Sequence, residues 1–158
     1  MAMYEAKFGP RTGALIENVA RVFREEEGIE MSMGGLTGNT FASHRLLAYA
    51  GTMGAERQNA LAERLFRAYF SEERYLGDRG VLLECARDAG IAGAEAVVGD
   101  DRQFADEVRV ELNQARGMVT GVPFFVVDGG RFKMSGAQPA EVWAEVLEEY
   151  LEQQERRG

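Results

Sequence analysis

The sequence predicts a protein of the α/β or α+β class, in which a long helical block is followed by a β-hairpin and a last helix, with helices covering the small sheet. Three observations carry this. Apolar residues recur at three- and four-residue steps in successive segments between Ala14 and Arg116. The run Phe124-Phe125-Val126-Val127 is bounded by Pro123 and by Asp128-Gly129-Gly130, which reads as a strand turning back through a hairpin into Arg131 to Met134. A final stripe of Val142, Trp143, Val146, Leu147, Tyr150 and Leu151 follows Pro139, whose fixed φ suits the first helical turn.

The helical block divides at glycines and capping residues. Leu15, Ile16, Val19, Val22 and Phe23 mark an amphipathic helix that ends at Gly28, and Met3, Tyr4 and Phe8 suggest a shorter one before Gly9-Pro10. Ile29 to Gly38 is a glycine-rich connection. Asn39 or Thr40 caps a helix to Ala50 with Phe41, His44, Leu47 and Ala48 on one face. Gly54 to Phe70 carries Leu61, Leu65, Phe66, Tyr69 and Phe70 at helical spacing. Asp78 caps the next helix, which holds Val81, Leu82, Cys85 and Ala86 and stops at Gly90. A short turn spans Ala94 to Val98, and a helix opening at Asp100 or Asp101 runs through Phe104, Val108 and Leu112 to about Arg116. The unpaired run Phe124 to Val127 needs neighbours, because an isolated two-stranded ribbon is marginal in water. Four apolar residues in succession also predict a strand covered on both faces.

Composition narrows the function classes. A chain of 158 residues with 46% hydrophobic content suits one domain, or a compact domain carrying an insertion. The formal net charge of -8 argues against nucleic-acid or anionic-membrane partners, which reward a concentrated basic face. No run approaches ~18 apolar residues, the length of a membrane span, and the first ten residues lack the apolar centre of a signal peptide. The one cysteine, Cys85, excludes an intramolecular disulfide framework and points to the cytoplasm. Its spacing with Val81, Leu82 and Ala86 predicts a buried core thiol. His44, the one histidine, is expected to be structural, on a helix face beside Phe41 and Leu47. Met33-Gly34-Gly35 with Thr37-Gly38 matches neither the dinucleotide nor the P-loop pattern. Glu25-Glu26-Glu27 occupies successive helix positions facing different directions, a poor metal site.

Pro123 stands at the mouth of an apolar strand, where it withholds a ladder donor; such positions are strand beginnings or edges where ligands dock. Val122-Pro123 is therefore the first candidate site. The run Gly121 to Gly129, with Ser135-Gly136-Ala137-Gln138-Pro139 and a terminal helix, resembles the end of DsbA-like thioredoxin-fold proteins of the FrnE type. Asn39-Thr40 with His44-Arg45-Leu46-Leu47, then Leu65 to Phe70, Gly77-Asp78 and Gly90-Ile91 resemble that family's helical insertion in the same order.

The resemblance implies an incomplete thioredoxin-like fold: a helical insertion domain at residues 1–117 and a thioredoxin-like hairpin and helix at 118–158. It also implies a thiol-disulfide oxidoreductase homologue whose Val122 and Pro123, the latter after a cis bond, dock a thiol-bearing peptide or glutathione, with Ser135 and Gln138 at the same rim. In the family a strand, a Cys-x-x-Cys helix and a second strand come before the insertion, whereas this sequence begins inside it. No dithiol turnover is expected, since that chemistry needs an exposed thiolate and a second, resolving thiol. No resident cofactor is expected beyond glutathione as a ligand. Two alternatives stand beside this reading. One is a non-catalytic binding or assembly module, a homo-oligomer joined through the exposed strand edge. The other is a glutathione-dependent transferase or isomerase, since kappa-class glutathione transferases and 2-hydroxychromene-2-carboxylate isomerases are similar folds.

Overall fold

A computed structural model of the chain describes residues 9, 12–32, 34–119 and 121–156. It is mostly helical, with one two-stranded antiparallel sheet. The elements are α1 (Thr12–Glu27), α2 (Phe41–Gly51), α3 (Ala55–Phe70), α4 (Arg79–Asp88), α5 (Ala94–Gly99), α6 (Ala105–Met118), β1 (Phe124–Val127), β2 (Phe132–Ser135) and α7 (Ala140–Glu155). The helix expected around Met3, Tyr4 and Phe8 lies outside the described residues. The chain forms two compact units, Met1–Val110 and Glu111–Gly158.

The first unit is a helical bundle with an apolar core. Leu46 and Ala50 of α2, Leu61, Leu65 and Ala68 of α3, Val81, Leu82, Cys85 and Ala86 of α4, and Val97 and Val98 of α5 form one buried cluster. The helix ends explain why these segments fold where they do. The Asp78 carboxylate accepts from the Val81 N–H at 2.9 Å and caps α4. At the other end Gly90 takes φ 69°, and Ile91 N–H donates to Ala86 O at 2.8 Å while Gly90 N–H donates to Arg87 O at 3.0 Å. That Schellman pair satisfies two orphan carbonyls and tucks Ile91 into the core. At α2, the Asn39 side-chain oxygen Oδ1 accepts from Phe41 N–H at 2.9 Å, while Thr40 occupies the N-cap position without a side-chain bond.

Two expectations about this unit need correction. The face of α2 turned inward carries Ser43, Arg45, Leu46 and Ala50, whereas His44 is exposed. The reason is Arg45, which is 1% exposed. Its Nη1 lies 2.8, 2.7 and 3.0 Å from the carbonyl oxygens of Val97, Asp100 and Gln103, and its Nη2 donates to Asp101 at 3.0 Å. A buried guanidinium is tolerated only when such acceptors surround it. The same contacts move the start of α6: residues 100–103 bend around Arg45, Phe104 takes φ 58°, and the helix begins at Ala105 rather than Asp100 or Asp101. Phe104 instead packs on Tyr49, ring centroids 5.4 Å apart.

Charges on the exposed side of α3 and α4 form a network. Arg64 bonds Asp88 at 2.9 Å and Glu72 at 3.1 Å, and Arg74 grips Glu84 in bidentate fashion at 3.1 and 2.8 Å. The Arg74 guanidinium holds the Glu84 carboxyl below its ordinary value of 4.5. A carboxyl whose pKa falls on folding stabilises the fold above its unfolded value, and that contribution is lost as pH drops through the folded value. Thermal melts between pH 6 and pH 3 are therefore expected to show a loss of midpoint, setting in below about pH 4.5, that is smaller in Glu84→Gln than in the wild type.

The second unit holds the end of α6, the hairpin and α7. Asp128 (φ 49°), Gly129 (φ 63°) and Gly130 (φ 102°) form the turn between the strands, as Asp-Gly-Gly predicts. Phe124 pairs with Ser135, Phe125 with Met134, Val126 with Lys133 and Val127 with Phe132. Trp143 meets Phe125 edge-on at 4.6 Å, and Tyr150, two turns later on the same helix face, meets Phe132 at 6.0 Å. Thus α7 covers the sheet face that carries Phe125 and Phe132. No described residue from Glu111 to Arg156 is fully buried, and Phe125 and Val126 are 38% and 46% exposed. The strand is not covered on both faces within this unit, because α7 supplies a layer on one side.

Candidate functional site

The hairpin gathers the predicted site residues at one end of the sheet. Pro123 leads directly into β1, the Val122–Pro123 peptide is cis, and Val122 is 87% exposed. The Pro123 carbonyl is taken: Gly136 N–H donates to it at 2.8 Å. Pro123 and Gly136 are thereby a hydrogen-bonding pair one step beyond Phe124 and Ser135. Such pairs alternate in an antiparallel ladder, so Phe125 and Val127 bond across to β2. Phe124 and Val126 turn their N–H and C=O groups to the other edge. Among the described residues β2 is the one strand that pairs with β1, so this edge offers two donors and two acceptors at strand spacing, beside exposed Val122.

Ser135 and Gln138 lie at the same end. Gln138 Nε2 donates to the Ser135 carbonyl oxygen at 2.8 Å, closing the turn between β2 and α7. Their observed contact is with each other, and it fixes the loop that lets Gly136 reach Pro123. The free-edge groups of Phe124 and Val126, and the Gly136 to Pro123 bond, were missed in the sequence. The signal that could have found them is register: counting back from Asp-Gly-Gly fixes every pair in the hairpin.

Cys85 belongs to the other unit, 1% exposed in the core of α4. Burial pushes its thiol above the ordinary range, and the nearby Arg64 and Arg74 pull it back only in part. A neutral, shielded thiol is a poor nucleophile. Cys85 is therefore expected to react with Ellman's reagent slowly in the native protein and at the rate of a free thiol in denaturant, a contrast that timed absorbance measurements check. Among the described residues no group of three or more His, Cys, Asp or Glu could hold a metal ion. No described helix is long and apolar enough to cross a membrane.

A mostly helical chain with one small antiparallel sheet is consistent with a DsbA-like fold of the thioredoxin type. The family of DSBA-like thioredoxin domains matches residues 8–148, and the chain belongs to it. The chain is also similar to a protein of Bacillus subtilis (strain 168) described as uncharacterized protein YwbO, with 26% identity over 129 residues. That match takes in 78% of this chain and 62% of the relative, so the chain spans less than two thirds of the curated relative's length.

Proposed function

We propose that the hairpin end of this chain is the substrate-docking rim of a thiol-disulfide oxidoreductase-type protein of the FrnE kind, working in the cytoplasm. Its ligand is an extended thiol-bearing peptide or glutathione, which lies along the free edge of β1. The observation that carries this reading is the unpaired backbone of Phe124 and Val126 beside exposed Val122. An extended peptide adds to such an edge as a further strand, its backbone supplying affinity and its alternate side chains specificity. Pro123 keeps a ladder donor out of the rim, and Ser135 and Gln138 hold the loop that shapes it.

These 158 residues dock the thiol without exchanging electrons, since Cys85 is buried and unpaired and dithiol exchange requires an attacking thiolate and a resolving thiol. Insulin reduction by this chain with a chemical reductant is expected to run at the rate of its Cys85→Ala variant. Catalysis clearly above that variant would refute the reading.

A second reading uses the same edge for assembly. Phe125 and Val126 are half-exposed on a strand with an open ladder, and such an edge pairs with a second copy of itself. A two-fold axis at Phe125 sets Phe124 opposite Val126 of the partner and closes four backbone hydrogen bonds. Sedimentation equilibrium showing a folded monomer at micromolar concentration removes this alternative. Saturable glutathione binding together with conjugating activity would instead favour a glutathione-dependent transferase or isomerase.

A further inference from the structure

The helical unit holds a cavity of about 510 Å³ between the end of α1, the connection after it and α3, well inside the range of about 300–1,000 Å³ of small-molecule sites. Its walls are apolar: Phe23, Ile29, Phe66 and Phe70 line it. Phe66 is 58% exposed and Phe23 41%, so large aromatic surface faces the opening instead of the core. Two charges stand on the α3 side, Glu63 and Arg67, one turn apart. Among the described residues neither Arg67 guanidinium nor Glu63 carboxylate engages in a hydrogen bond or ion pair. This differs from Arg64 on the same helix, which is saturated by Asp88 and Glu72. The wall formed by the connection is fixed in place, because Ser32 N–H donates to the Phe70 carbonyl and Ser32 Oγ bonds the Glu73 carboxylate.

We infer that this cavity binds a small monocarboxylate with an apolar body, of medium-chain acyl or aromatic type. The body fills the space between Phe23, Ile29, Phe66 and Phe70, and the carboxylate meets the planar fork of Arg67, whose geometry matches a carboxylate in bidentate fashion. Glu63 at the same rim opposes a second negative charge, which restricts the ligand to one carboxylate. The site is separate from the hairpin rim, so either can fail in a test while the other holds.

The probe is dodecanoate, titrated below its micellar concentration into the full chain and followed by calorimetry, with circular dichroism confirming the fold of each variant. One dodecanoate per chain is expected to bind saturably. Arg67→Gln weakens it about tenfold or more, as loss of a hydrogen bond to a charged group does, and Glu63→Gln tightens it. Dodecanol, which has the same body without the charge, binds as weakly to the wild type as dodecanoate does to Arg67→Gln. Absence of saturable binding, equal affinity for dodecanoate and dodecanol, indifference to Arg67→Gln, or preferential binding of phenylalanine as a zwitterion would each overturn the assignment.

Discussion

Replacing Arg45 by methionine is expected to lower the unfolding free energy of the helical unit by about 2 kcal/mol or more, from two orphaned carbonyls at about 1 kcal/mol or more each. The guanidinium fills a ring of oxygens from Val97, Asp100 and Gln103; Asp100 O also accepts from Gln103 N–H at 3.2 Å, so Val97 and Gln103 are the two that would lose their partner. Its ion pair contributes little by comparison. Asp101 is 97% exposed, and solvated pairs are worth about 0–1 kcal/mol. Asp101→Asn should therefore cost less than about 1 kcal/mol, and the contrast between the two variants in urea denaturation separates carbonyl satisfaction from charge pairing. Equal losses would mean that the ion pair, not the carbonyl ring, holds residues 97–103 in place.

Truncating Leu82 to alanine is the second large effect, about 2–5 kcal/mol. Leu82 is 0% exposed in the cluster where α3, α4 and α5 meet, and a side chain removed there leaves a cavity that helices pinned by the Asp78 cap and the Gly90 turn cannot close. The same truncation at Leu147 of α7, which is 45% exposed, removes far less surface from contact and should cost under about 1 kcal/mol. Urea denaturation of both variants checks whether the core lies where the burial places it. A comparable loss at Leu147 would show that α7 is buried in solution.

Much of this architecture can be read from local chemistry. Asp78 and Gly90 bound α4 because a cap carboxylate and a left-handed glycine act over a few residues, and Asp-Gly-Gly sets the hairpin for the same reason. What eluded the sequence depends on distant partners. Arg45 is a charged residue at a core position, and only its carbonyl acceptors, more than fifty residues away, make that burial tolerable; periodicity therefore puts His44 on the inward face of α2, whereas the structure turns Arg45 inward and leaves His44 exposed. The Phe104 ring fits the apolar stripe and so predicts a helical position, while its backbone follows the turn around Arg45. The run Phe124 to Val127 records a demand for cover without stating what supplies it, and within its unit α7 covers one face.

The candidate site was legible to a similar depth. Pro123 marks itself by the donor it lacks, and Val122 follows from it. Ser135 and Gln138 were expected as rim residues and are joined by a bond that closes a turn. The backbone groups of Phe124 and Val126 have no signature in residue type, since every residue carries them; pairing and register alone reveal which are free.

The claim on which the account rests is that the open edge of β1 beside Val122 receives an extended thiol-bearing peptide. Titrating isotopically labelled protein with S-methylglutathione and following backbone amide resonances tests it directly. Saturable shifts are expected at Val122, Phe124 and Val126, with smaller ones from Ser135 to Gln138 and none around Cys85. Shifts confined to the helical unit, or an edge that stays unperturbed at millimolar ligand, would contradict it.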